Sequence, residues 1–391
     1  MGLARPRADR PYPHDRHGTR EPSRASKPAL RARFHLGDPS VESKTILTGI
    51  TPSGTPHLGN YIGMIKPAVA MSAEDGRNCY YFISDLHALV KCHDAERVGR
   101  FTLEIAAAWL ALGLDPQRVL FYRQSRVPEI AELYWMLSCV TPKGLLNRAH
   151  AYKALRERNT AGGADADTDV SLGLFSYPAL MAADILLFDA DFVPVGKDQV
   201  QHVEIARDIA GSFNARYGVQ FRLPRAMVGD AQSLPGLDGR KMSKSYGNTI
   251  PIFCPVDELR RSIRKIKTSS LPPREPKDWS SCTLFELYRG FAEADEIASM
   301  MRRYEAGIGW GEMKDILVGT IERHLAGPRT LYRDYLEHPQ RIEAVLEQGE
   351  ERVRRIAQAR MQGIRRAVGL RRPASAVPGT MEPPTAGCVE R

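Results

Sequence analysis

The run Lys241-Met242-Ser243-Lys244-Ser245 sets two lysines three residues apart among small hydroxyl side chains, just after the loop Gly236-Leu237-Asp238-Gly239-Arg240. Two ammonium groups on a mobile loop can close on a polyphosphate and offset the charge that develops as pyrophosphate leaves. Taken alone, such a run also suits a solvated surface loop. Far upstream, KTILTGITPSGTPHLGNYIG over residues 44–63 reads as a short strand at 45–48, a turn rich in Gly, Pro and Ser at 49–55, and a helix from Leu58 onward. Small residues there let the backbone approach a triphosphate, and the N–H groups at the helix start favour its charge. His57 stands at the junction. An ordinary strand-to-helix turn would share this outline.

A third group lies on one predicted helix. Tyr177, Met181 and Asp184 fall at i, i+4 and i+7, on one face. Pro178 suits the first position of that helix, where a missing N–H costs nothing. Asp184 is flanked by Ala, Met, Ile and Leu, so its carboxylate needs a partner, either a ligand or an ion pair in the core.

The elements that must carry these groups alternate. Strands are expected at 45–48, 79–84, 119–122 and 191–195, with helices near 58–74, 94–112, 128–139 and 178–188. Such alternation implies an α/β fold with a doubly wound, mostly parallel sheet, and ligands at the carboxyl ends of its strands. The polar residues that follow those ends are Asp85-Leu86-His87, Arg123-Gln124-Ser125 and Gly196-Lys197-Asp198-Gln199. They would converge on one crevice. A basic helix is expected at 145–158 and a flexible acidic loop at 161–168. Beyond Pro255 only helical spacing remains, at 256–267, 284–304, 313–324, 330–337 and 340–368, with Pro328 and Pro339 as punctuation.

The chain of 391 residues is long enough for two domains, and 43% hydrophobic with 26% charged residues is an ordinary globular composition. A formal net charge of +9 and a pI near 9.3 favour an acidic partner, nucleic acid above all, or simply a basic solvated surface. Cys79, Cys92, Cys139, Cys254, Cys282 and Cys388 form no CxxC pair and show no metal-ligand spacing, so reduced thiols in a cytoplasmic protein are expected. No apolar run is long enough for a membrane span, and no secretory signal is read at the N-terminus. Residues 1–43 read as a disordered basic extension, a transit segment or a start assigned too early, and 371–391 as a disordered tail.

The two phosphate-type stretches, in this order, resemble the signatures of class I aminoacyl-tRNA synthetases. The first reads His57-Leu58-Gly59-Asn60, with Asn60 where the family pattern has a second histidine, and KMSKS is unchanged. GLFSYPALMAADILL together with VPVGKDQVQHVE resembles the tryptophanyl-tRNA synthetases, over about residues 45–370. Met181 speaks against the tyrosyl relatives, where Gln is typical, because a thioether packs on an indole where an amide would lack a partner.

The resemblance implies a Rossmann-like catalytic domain at 44–254 and an all-α anticodon-binding domain at 255–370. It implies ATP as substrate, with Mg²⁺ bound through its phosphates, and L-tryptophan and tRNA as partners of a homodimer; residues 130–139, with Tyr134 and Trp135, suit either part of that interface or a buried core helix. It makes Asp184 the acceptor for the indole N–H, with Met181 and His87 lining that pocket and Tyr177 and Gln199 holding the amino acid's polar end. Thr51, Pro52, Ser53, Gly59, Asn60, Gly196, Lys197, Asp198 and Leu234 would meet ATP, as would Lys241, Met242, Ser243, Lys244 and Ser245. Lys241, Lys244 and His57 would assist catalysis. Alternatives are a tyrosine enzyme, a nucleotidyltransferase that does not use tRNA, and a non-catalytic RNA-binding paralogue.

Overall fold

The computed structural model describes residues 43–228 and 234–370, so the expectations for residues 1–42, for 371–391 and for Cys388 lie outside it. The chain runs β1 (Lys44–Ile50), α1 (Leu58–Asn60), a π-helical turn (Tyr61–Ile65), α2 (Lys66–Ser72), β2 (Arg77–Ile83), α3 (Asp85–Ala88), α4 (Ala95–Ala111), β3 (Val119–Arg123), α5 (Pro128–Ser138), α6 (Lys143–Leu146), α7 (His150–Ala161), α8 (Leu172–Leu187), β4 (Phe192–Val195), α9 (Val200–Tyr217) and β5 (Arg225–Val228). Helices follow: α10 (Val256–Arg264), α11 (Thr283–Arg289), α12 (Ala294–Glu305), α13 (Trp310–Glu337) and α14 (Pro339–Ala367).

Among the described residues the five strands form one parallel sheet in the order β3-β2-β1-β4-β5. Successive side chains on a strand face opposite ways, and the sheet accordingly divides two cores. Ile46, Tyr81 and Phe121 join one, with Trp109 of α4 and the inner faces of α10 to α13. Leu47, Tyr80, Phe82 and Tyr122 join the other, with α5, α8 and α9. The strand order reverses between β1 and β4, which opens a crevice at the carboxyl ends of those strands.

Helix α14 passes the free edge of β3. Its Ile342 and Leu346 belong to the first core and its Val353, Ala357, Met361 and Ile364 to the second. Between them Gly349 lies so close that a Cβ there would stand 1.8 Å from the carbonyl oxygen of Phe121. Glu350 accepts from Arg123 Nε at 2.6 Å, and Arg352 Nη1 donates to the carbonyls of Pro116 and Val119 at 3.1 and 3.5 Å. The helix therefore occupies edge groups of the strand that would otherwise be open to another chain.

Several expectations are corrected. Pro178 is not at a helix start: α8 begins at Leu172, where the Ser171 hydroxyl accepts the N–H of Leu174, and the proline is buried in the helix interior. The ring removes one backbone bond, and burial of nine residues of α8 keeps the helix continuous. Pro328 is likewise inside α13, a single helix where two were expected at 313–324 and 330–337. The helix expected at 284–304 is the pair α11 and α12, and that at 145–158 is broken between α6 and α7. Strand β5 was not anticipated. Cys79 and Cys254 are buried, whereas Cys139 is exposed.

Candidate active site

The turn after β1 and the lysine-bearing loop meet directly. His57 caps α1: its Nδ1 accepts the N–H of Asn60 at 3.3 Å, and Asn60 Oδ1 accepts the N–H of His57 at 3.1 Å. Because Nδ1 is an acceptor, the ring proton sits on Nε2. Burial, helped by the nearby Lys244 charge, lowers the His57 pKa to about 4, so this imidazole is neutral at pH 7. Downstream, Leu58 N–H donates to Ile250 O at 2.9 Å and Ile252 N–H to Pro56 O at 3.1 Å. Met242 is buried, and its sulfur accepts the N–H of Gly59 at 3.3 Å.

Lys244 crosses to the first turn and donates to Gly54 O at 2.7 Å. Gly54 has φ +141°, a conformation side chains rarely adopt, and a Cβ there would stand 3.2 Å from the lysine ammonium. Much of the Lys244 side chain is exposed, but its ammonium lies in the cleft, and desolvation lowers its pKa to about 8. The loop is shaped by buried Asn248, whose Nδ2 donates to Asp238 Oδ1 at 2.7 Å and to Lys241 O at 3.1 Å, while its Oδ1 accepts Ser243 N–H at 2.8 Å. Lys241 and Ser245 remain exposed.

Asp184 is 1% exposed, and both its oxygens accept hydrogen bonds. His87 Nε2 donates to its Oδ2 at 2.9 Å, and Gln124 Nε2 donates to Oδ1 and Oδ2 at 2.8 and 2.9 Å. Burial pushes the Asp184 carboxyl above the ordinary carboxylate range, and the His87 and Gln124 bonds oppose that shift. Tyr177, two helical turns before Asp184, holds its hydroxyl 2.5 Å from His202 Nε2 and its ring edge-on to His87. Met181 is half-buried beside them.

The remaining sequence candidates fall at the ends of the same strands. Thr51 Oγ1 lies 2.9 Å from Ser84 Oγ across the ends of β1 and β2. Gly196, Lys197, Asp198 and Gln199 are exposed after β4, with Gln199 Oε1 accepting Gly196 N–H at 3.3 Å. Pro52 is buried and Ser53 exposed in the first turn. Leu234 turns its side chain into the core, and its carbonyl accepts Met242 N–H at 2.9 Å, so it supports the loop. Residues that sequence reasoning placed in the crevice without a role prove central. Gln124 is fully buried under Asp184, and Asp85 accepts Ser125 N–H at 2.9 Å and Ser125 Oγ–H at 2.5 Å. Among the described residues no three His, Cys, Asp or Glu side chains gather where they could hold a metal ion.

A family profile described as tRNA synthetases class I (W and Y) matches residues 41–317. That leaves tryptophan and tyrosine both open. The tryptophan–tRNA ligase of Xanthomonas axonopodis pv. citri is 54% identical over 329 residues, which cover 83% of this chain and 76% of that protein. The chain belongs to the tryptophanyl-tRNA synthetases. The tryptophan–tRNA ligase of Pseudomonas aeruginosa is 52% identical over 330 residues, 83% of this chain and 74% of that protein. Among solved structures, the Campylobacter jejuni tryptophanyl-tRNA synthetase in complex with ADP and tryptophan is 43% identical, with a TM-score of 0.75 over 83% of this chain and 99% of that one. The Rossmann-type sheet with helices at its C-terminal side is thus the fold of this synthetase family.

Proposed function

We infer that the chain activates L-tryptophan with ATP to tryptophanyl-adenylate, releasing pyrophosphate, and transfers the tryptophanyl group to the 3′ end of its tRNA. The observation that carries the reading is the buried Asp184 carboxylate, oriented by His87 and Gln124 at the carboxyl ends of the same parallel sheet whose first turn receives Lys244 at Gly54 O. An oriented buried carboxylate rejects a side chain that cannot donate to it.

In the first step the tryptophan carboxylate attacks the α-phosphorus, and the bond to the bridging oxygen breaks as pyrophosphate departs. No side chain serves as a covalent nucleophile, so the protein acts by positioning and electrostatics. Lys244 leaves Gly54 O for the phosphates and follows the charge onto pyrophosphate, with Lys241 assisting from the exposed side of the loop. His57, neutral, donates from Nε2. Thr51, Pro52, Ser53, Gly59 and Asn60 form the phosphate turn, and Gly196, Lys197 and Asp198 meet the ribose. Tyr177 and Gln199 hold the amino acid's polar end, which requires Gln199 to leave the Gly196 N–H. Mg²⁺ would be held by the ATP phosphates rather than by a protein cage, and would supply charge neutralisation there.

The helices from α10 onward read the anticodon, and exposed Arg261, Arg264 and Arg354 contact phosphates. Arg365 is less available, since it donates to Glu132 Oε1 at 2.7 Å. Two copies associate through α5, where Ile130 and Leu133 are buried but Trp135 is 69% exposed. Because the proposed product is charged tRNA for translation, the proposed place of action is the cytoplasm. No helix among the described residues is long and apolar enough to cross a membrane. ATP–pyrophosphate exchange without tRNA, run with tryptophan and tyrosine side by side, tests the reading. Exchange that depends on tryptophan supports it, and exchange with tyrosine or with neither overturns it.

A further inference from the structure

Gln124 opens the short turn after β3, is fully buried, and has both ends of its amide engaged. Its Nε2 bridges the two oxygens of Asp184 at 2.8 and 2.9 Å, and its Oε1 accepts the backbone N–H of His87 at 3.4 Å. The His87 ring returns to Asp184 Oδ2 at 2.9 Å, so one closed circuit joins the ends of β2 and β3 to the last turn of α8. A flipped amide would set its oxygen against the carboxylate and its NH₂ against an N–H, which fixes the orientation. The backbone beside it is also fixed, because Arg123 is held by Glu350 and Glu343 of α14 at 2.6 and 2.7 Å.

Each carboxylate oxygen offers about two lone-pair sites. Oδ2 accepts from His87 and Gln124, whereas Oδ1 accepts from Gln124 alone. We propose that Gln124 is a positioning residue for tryptophan selection: its amide holds the Asp184 carboxylate so that Oδ1 keeps one lone pair directed to the indole N–H. The proposal rests on the reading of Asp184 as the indole acceptor. The groups that face this carboxylate are His87 and Gln124, with Asp85 and Tyr122 close by, and the Asp85 charge acts in the same direction as burial, toward protonation. Loss of the amide therefore both frees the carboxylate to rotate and makes it easier to protonate.

The test uses the full-length enzyme in ATP–pyrophosphate exchange with tryptophan and with β-(benzothiophen-3-yl)alanine, in which sulfur replaces the indole N–H. The readout is the ratio of kcat/KM for the two substrates. Gln124→Met lowers this ratio at least about tenfold with the KM for ATP unchanged, as expected for loss of a hydrogen bond to a charged group. A defect that is only structural lowers both substrates together and leaves the ratio intact. Gln124→Glu is nearly isosteric and guards against a variant that does not fold. Its protonated carboxyl can still donate to Asp184, so its ratio rises as pH falls and collapses where both groups ionise. Asp184→Ala checks the underlying reading separately. If Asp184→Ala collapses the ratio and neither Gln124 variant changes it, the proposal fails and the Asp184 reading survives. If Asp184→Ala leaves the ratio unchanged, both fail.

Discussion

Replacing Lys244 by alanine isolates the charge that is expected to follow the departing pyrophosphate. In the resting enzyme the ammonium is satisfied by Gly54 O at 2.7 Å, on the β1 side of the crevice, whereas the partners of Asp184 come from the ends of β2 and β3. The substitution therefore removes a contact needed at the transition state and leaves the tryptophan pocket untouched. One such contact contributes about 2.7–4 kcal/mol. At about 1.36 kcal/mol per factor of ten, exchange falls roughly 10²–10³-fold. The measurement pairs ATP–pyrophosphate exchange with calorimetric titration of tryptophan, whose affinity stays within about twofold. Lys244→Arg keeps the charge and recovers part of the rate. A fall of less than about tenfold, or an equal loss in tryptophan affinity, would refute the reasoning.

Asp184→Ala weakens tryptophan binding by calorimetry, by up to roughly 10⁴-fold where the fit is good. It also leaves the His87 and Gln124 donors buried without their acceptor, at about 1–3 kcal/mol in unfolding free energy, so the protein folds but melts earlier. The pH profile carries a sign. Lys244, lowered to about 8, is charged below that pH, so kcat/KM for ATP is high there and declines as pH rises through about 8. Bound phosphates raise the same pKa, so kcat stays level over that interval, and Lys244→Arg erases the break. Gly349→Ala, normally favourable in a helix by roughly 0.5–1 kcal/mol, is destabilising here in urea unfolding, because its Cβ meets the Phe121 carbonyl at 1.8 Å and backbone cannot move aside cheaply.

Much of the sheet was legible because β1, β2 and β3 are runs of apolar residues long enough to read alone, and the residues after their ends could be named in advance. Strand β5 escaped because Arg-Ala-Met-Val is four residues with a charged start, and its pairing with β4 supplies what its composition lacks. The prolines misled for a related reason. Pro178 and Pro328 read as boundaries, yet α8 and α13 bury enough side chains to carry a missing bond. In the site, Asp184 announced itself through its apolar neighbours. Its partners did not, since His87 and Gln124 lie 97 and 60 residues away and only the fold brings them together.

The cover that α14 lays over β3 also sets a timetable for the growing chain. Arg123 and Glu350 are separated by 227 residues, so at 5–20 residues per second the ribosome needs roughly 10–45 s between making the strand and making the helix that shields it. Throughout that interval the edge from Val119 to Arg123 has no neighbour on its outer side from α14. A nascent chain cut short before Gly349 would keep that edge open and invite pairing with another copy. Completion of α14 is thus the event that closes the β3 edge of the sheet in a crowded cell.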